Sequence, residues 1–146
     1  MKPSLKPGLK HRFSFTVPGN KTVPHLYPEA QDFQVMPEVL ATGFLVGLLE
    51  WTCIQLIQPH LEPGEGSLGI EIDVSHTAAT PAGMTVTVEV ELIALEGANA
   101  RFRIKAHDGI DEISAGEHAR LIVKWEKFKA RLDEKRKKAT AMTGAH

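Results

Sequence analysis

The chain has 146 residues, is 42% hydrophobic and carries a formal net charge of -1. Those values suit one compact domain with a proper core and exclude compositional disorder. They also exclude the general basic field of a nucleic-acid-binding protein, and the basic residues form no continuous patch with interleaved aromatics.

The opening MKPSLKPGLKHRF is basic, but the apolar run of a signal peptide does not follow it. The single cysteine, Cys53, excludes an internal disulfide framework and reads as a packed thiol. A cytoplasmic setting is the expectation. A first strand is expected near Arg12–Val17. Pro37-Glu38 then suits the opening of a helix, with proline in the first turn and a carboxylate near the positive end of the dipole. Thr42 is placed to cap a second start after a short first turn.

The helical run continues to about Gln58 and stops at Pro59. Between Val39 and Pro59 its one charged residue is Glu50. Glu50, Gln55, Gln58 and two glycines favour a buried core helix over a membrane span. The run is apolar almost all round, so something must surround it.

Turn signals at PGEG (63–66), PAG (81–83), EGAN (96–99) and HDG (107–109) divide the second half into four strand-like runs. Leu68, Ile70, Ile72, Val74 and His76 alternate with polar or small residues in the first. Met84, Val86, Val88, Val90 and Leu92 do so in the second, and Phe102, Ile104 and Ala106 in the third. In the last, Ala119, Leu121, Val123 and Trp125 alternate with His118, Arg120 and Lys124. This period-two pattern predicts antiparallel strands with one buried face. Residues 126–138, EKFKARLDEKRKK, read as a solvated helical end. One domain is expected over residues 1–130, with a charged, flexible tail over 131–146.

A strand, one central apolar helix and four more antiparallel strands describe a hotdog fold of α+β class, with about five strands wrapped around the helix. Its exposed sheet edges predict a dimer.

Glu50 raises a chemical question, because removing a carboxylate from water costs several kcal/mol unless it is paired or neutralised. His107 and His118 fall in register with arginines and lysines and are expected to face solvent. His11, His60 and His146 sit in loop or terminal settings, and His25 cannot be placed by periodicity. His76 shares its strand face with Leu68, Ile70, Ile72 and Val74, the face expected to cover the helix. Pairing of His76 with Glu50 would answer the question, through an ion pair or a tunable proton partner. A structural hydrogen bond from Glu50 to backbone across a dimer interface is the competing account.

Thr42 is a third candidate, as a cap or as a group in the chemistry. The free N–H groups beside it, with glycine-flanked backbone at Thr42-Gly43 or Leu68-Gly69, could form an oxyanion hole. Gly69 equally suits a bulge or a close helix–sheet contact. No pair of histidines or carboxylates has metal-ligand spacing within one element, so no metal is expected. GEG at 64–66 lacks the lysine of a P-loop, and no serine sits in a G-x-S-x-G elbow.

The segments HLYPE (25–29), PEVLATGFLVGLLEW (37–51), LEPGEGSLG (61–69), VSHTAATPAGMTVTVEVEL (74–92), AHDGIDEI (106–113) and EKF (126–128) together resemble the fluoroacetyl-CoA thioesterases of the hotdog superfamily. The resemblance runs from about residue 10 to 130. It implies a homodimeric hydrolase of short acyl-CoA thioesters with its site near the subunit interface. The family's catalytic threonine, glutamate and histidine would fall on Thr42, Glu50 and His76. The glycine that helps hold the thioester carbonyl would fall on Gly69. No bound cofactor is implied, since coenzyme A arrives with the substrate. The family's aromatic lid would keep Phe33 but have Met36 where a phenylalanine is usual, directly before Pro37-Glu38-Val39. Methionine is flexible and has no fixed plane, so weaker selection for fluorine is expected.

On this resemblance Glu50 would attack the carbonyl or act as base for water, with His76 orienting it or moving the proton. If Thr42 and Glu50 share one continuous helix, eight residues separate them by about 12 Å along its axis. Direct contact would then require an irregular helix start, an intervening substrate or a site built from two subunits. A non-catalytic acyl-CoA-binding protein and an enoyl-CoA hydratase or dehydratase are the alternatives.

Overall fold

The computed structural model describes residues 1–144. His146 and the end of the expected tail lie outside the described residues. In chain order the elements are β1 (Lys10–Thr16), α1 (Gln31–Gln34), α2 (Thr42–Ile57), β2 (Glu65–Val74), β3 (Thr85–Glu96), β4 (Asn99–His107), β5 (Glu112–Lys124) and α3 (Trp125–Thr143). The five strands form one antiparallel sheet in the order β1-β3-β4-β5-β2, with α2 against one face. No helix among the described residues is long and apolar enough to cross a membrane.

The helix opens at Thr42, five residues later than Pro37. The intervening backbone is committed elsewhere: Val39 accepts from Val23 N–H at 3.0 Å, Leu40 N–H donates to Thr80 at 2.8 Å, and Ala41 N–H donates to Lys21 at 3.2 Å. These bonds hold residues 39–41 extended between two neighbouring segments, and a helix there would forfeit them. The core is then built as the alternation predicts on β3 and β4. Val86, Val88, Val90, Leu92, Ala100, Phe102, Ile104 and Ala106 are all buried against Leu45, Leu49, Cys53, Leu56 and Ile57 of α2.

Strands β2 and β5 depart from the expected pattern. Gly69 pairs with Arg120 and Glu71 with the next residue, Ala119, so Ile70 is the extra residue of a β-bulge. The bulge switches the faces of β2: Leu68 pairs with Leu121 on the outer face, whereas Ile72 pairs with His118 on the helix side. Ile70 and Ile72, expected to cover the helix, are 50% and 42% exposed along the free edge of the sheet. On β5 the expected faces are reversed. His118 pairs with the core residue Phe102 and stacks on its ring, so His118 and Arg120 point inward and are buried. Hydrophobicity alone assigned Ala119, Leu121 and Val123 to the inside, but the register with β4 decides the face.

Trp125 begins α3 by packing its indole onto Gly66, where a Cβ would clash with the ring. Beyond it the helix presents mostly exposed charged residues.

Candidate active site

Thr42 is the first residue of α2, and Ala41 holds the cap position. The Thr42 hydroxyl makes no capping bond and meets His76 Nδ1 at 2.7 Å. His76 lies just past β2, where Ser75 and Thr77 N–H still donate to Ala115 and Ile113 on β5. That continuation of the ladder fixes the direction of the imidazole. Its Nε2 is buried with no hydrogen-bond partner among the described residues. Burial lowers the His76 pKa, and the nearby Ala78 backbone, which makes no well-formed hydrogen bond to the ring, offsets part of that effect. The imidazole is therefore poised in its neutral, proton-accepting form near neutral pH.

Thr42 and His76 line a cavity of about 290 Å³ with Val23, Val39, Leu40 and Ala78. The segment bearing His76 is anchored from below. Thr80 donates its hydroxyl to buried Asp108 at 2.8 Å, and Asp108 also accepts from Ile110 and Asp111 N–H.

Glu50 meets a different partner from the expected one. Arg120 reaches in from β5 and donates from Nη1 to Glu50 Oε1 at 2.9 Å. The carboxylate stays 37% exposed, so it is reachable from outside, whereas the arginine is only 4% exposed. Burying a guanidinium requires its hydrogens to be satisfied. Arg120 Nε donates to Ser67 Oγ at 2.8 Å, Nη2 to Ser67 O at 3.0 Å, and Nη1 also faces His118 Nε2 at 3.2 Å. Gly69 stands directly over this group, since a Cβ there would lie 2.5 Å from Glu50 Oε1. Its lack of a side chain serves close helix–sheet contact and leaves backbone beside the carboxylate.

The expected Glu50–His76 pair is thus replaced by two pairs, Thr42–His76 and Glu50–Arg120. Because α2 is continuous from Thr42, they are separated by about 12 Å along its axis. Both border the stripe of α2 that its own sheet leaves open, with exposed Gly43, Gly47 and Trp51 between and beside them. Gly43 itself lies against Leu26, whose Cδ1 a Cβ would approach to 2.9 Å. Phe33, on α1, stacks with Tyr27 at 6.1 Å, and Met36 is 45% exposed. Neither lines the Thr42–His76 cavity.

Sequence reasoning missed Ser67, His118 and Arg120. The signal that could have found Arg120 was Glu50 itself, because a carboxylate on an apolar helix demands a cation in reach. His118 was assigned to solvent, and it is buried.

A model of the fluoroacetyl-CoA-specific thioesterase family matches residues 23–126. The fluoroacetyl-CoA thioesterase of Streptantibioticus cattleyicolor is 53% identical over 135 residues, spanning 92% of this chain and 97% of the relative. A solved structure of a fluoroacetyl-CoA thioesterase superposes with a TM-score of 0.88 at 52% identity, over 90% of this chain and 98% of that one. A Thermus thermophilus protein described as a thioesterase superfamily member superposes at 0.85 with 27% identity, over 97% and 99% of the two chains. The chain is therefore a member of the fluoroacetyl-CoA-specific thioesterase family.

Proposed function

We propose that the protein hydrolyses short acyl-CoA thioesters, fluoroacetyl-CoA or another small acyl group, to the free acid and coenzyme A. The observation that carries this reading is the Thr42–His76 pair, 2.7 Å apart at a cavity and with an unpartnered imidazole nitrogen. A thioesterase needs an activated nucleophile, a held oxyanion and a proton for the leaving thiolate. Glu50 supplies the carboxylate, attacking the thioester carbon directly or taking a proton from the attacking water. Arg120 keeps that carboxylate aimed through the 2.9 Å ion pair. Thr42 and the first N–H groups of α2, which have no intrahelical acceptor, offer donors to a developing oxyanion. His76 takes up the proton that water gives up, through Glu50 in the base route or when water opens the anhydride after direct attack, and returns it to the coenzyme A thiolate.

The separation of the two pairs supports a homodimer. A two-fold axis across the open stripe of α2 sets the Thr42–His76 pair of one protomer against the Glu50–Arg120 pair of its partner. The exposed Ile70 and Ile72 on the free β2 edge give the same contact an apolar margin. Phe33 and Met36 border the acyl end in this reading. A related fluoroacetyl-CoA thioesterase, as a phenylalanine-to-alanine variant, was solved with fluoroacetate and CoA. Methionine at position 36 makes a softer wall, so acetyl- and propionyl-CoA compete with fluoroacetyl-CoA. The intracellular supply of acyl-CoA thioesters supports a cytoplasmic setting.

The test is release of free thiol from a panel of acetyl-, fluoroacetyl-, propionyl- and longer acyl-CoA. Folded, dimeric Glu50→Gln should lose at least about tenfold in kcat/KM, equivalent to about 1.4 kcal/mol of transition-state stabilisation. Full activity in that variant removes the assignment of Glu50. Release of no thiol from any substrate removes the thioesterase reading. Label in the Glu50 carboxylate after single turnover in ¹⁸O-water would identify direct attack, because base catalysis leaves none there.

A further inference from the structure

We propose that His118 is a positioning residue that holds the Arg120 guanidinium aimed at Glu50, and that it does so only as the neutral tautomer protonated on Nδ1. The inference rests on the role of Glu50 proposed above.

The hydrogen bonds decide the tautomer. His118 Nδ1 lies 2.6 Å from the Glu71 carbonyl oxygen, which has no hydrogen, so Nδ1 must donate. Its Nε2 lies 3.2 Å from Arg120 Nη1, which can only donate, so Nε2 must present its lone pair. One protonation state satisfies both. An imidazolium would turn an N–H against a guanidinium N–H.

The same geometry explains why Arg120 needs this acceptor. Ser67 fixes Nε and Nη2, and the two hydrogens of Nη1 go to His118 and Glu50. Without His118 one buried hydrogen on Nη1 loses its acceptor, and the guanidinium can tilt away from Glu50. The groups facing His118 are few. They are Arg120 on its own strand, Glu50 on α2, the Glu71 carbonyl and Gly69 on β2, and the Phe102 ring on β4. Burial holds the His118 pKa below its ordinary value. The bond to Glu71 and the Glu50 charge act against that effect, and Arg120 reinforces it. The coupling is therefore intact at neutral pH and fails on acidification.

The experiment combines imidazole ¹⁵N spectra of the full chain with pH–rate profiles of the wild type, His118→Gln and His118→Leu from pH 5 to 8.5. At pH 7.5 the wild-type spectrum should show His118 neutral with its proton on Nδ1. Glutamine offers an amide oxygen to Arg120 and cannot titrate. That variant should keep kcat within about threefold at pH 7.5 and lose one ionisation from the acid limb. The folded leucine variant should lose about tenfold or more in kcat where His118 is neutral, with little change in KM, and the difference from wild type should shrink down the acid limb. If the leucine variant does not fold, the spectrum and the glutamine profile decide. Protonation of Nε2 at pH 7.5, an unchanged acid limb in the glutamine variant, or wild-type kcat in the folded leucine variant overturns the proposal. Should the wild type release no thiol at all, the thioesterase reading fails, while the ¹⁵N spectrum still decides whether His118 presents an acceptor to Arg120.

Discussion

Replacing Gly69 with alanine is the smallest change that reaches the Glu50 carboxylate. The new Cβ would lie 2.5 Å from Glu50 Oε1, 3.3 Å from His118 Cε1 and 3.4 Å from Arg120 Nη1. To regain ordinary van der Waals distance the carboxylate oxygen must retreat by about 0.9 Å. Arg120 cannot follow it freely, because Ser67 and His118 hold three of its nitrogens. The 2.9 Å ion pair must therefore lengthen or re-form through the other carboxylate oxygen. Overpacking of this kind costs about 1–3 kcal/mol. The flexible end of Glu50 puts it at the low end, and removing a glycine returns about 0.4–1 kcal/mol through the unfolded chain. Stability should change little. A displacement near 1 Å of a reacting group, however, costs on the order of 10²-fold in rate. Gly69→Ala should thus lose about 10- to 100-fold in kcat/KM by thiol release, with a melting temperature within a few degrees of wild type. Activity within twofold of wild type in the folded variant would refute the reasoning, because Glu50 would then tolerate displacement.

Other consequences are equally direct. Asp108→Ala strands the Thr80 hydroxyl and two backbone N–H groups, so urea titration should show a loss of about 2–4 kcal/mol, and activity should fall as the His76 segment loosens. His76 and His118 are both held below the ordinary value of 6.5, mainly by burial. Near pH 6 the unfolded chain therefore binds more protons on them than the native one does. Their contribution to stability is complete above about pH 6.5 and is lost as pH falls through the lowered values. Urea midpoints should drop between pH 7.5 and 5, and a His76→Gln, His118→Gln double variant should flatten that drop. Burial raises the Cys53 thiol to about 12, so a thiol reagent at pH 8 should label it only after unfolding.

Periodicity made much of the architecture legible. The all-round apolar run at 42–57 could only be a helix enclosed by something, and the alternating runs of β3 and β4 named that enclosure residue by residue. It also singled out Glu50 and His76, because polar groups on apolar faces are conspicuous, whereas Thr42 stood out as a candidate helix cap. Two local rules failed for identifiable reasons. Pro37-Glu38 has the chemistry of a helix start, yet bridges to Val23, Lys21 and Thr80 hold residues 39–41 extended. On β5 both faces carry apolar residues, so hydrophobicity could not tell Ala119 and Leu121 from His118 and Arg120.

Sequence by itself therefore determined the main elements, their order and the conspicuous polar groups Glu50 and His76, because spacing along one chain reports which residues share a side of an element. Only the tertiary structure decided who meets whom. A one-residue bulge at Ile70 and the β4–β5 register turned Arg120 and His118 toward Glu50 and left His76 to Thr42. Such pairings depend on contacts between segments dozens of residues apart. A shift of one residue in register exchanges the two faces of a strand, and no local pattern records that choice.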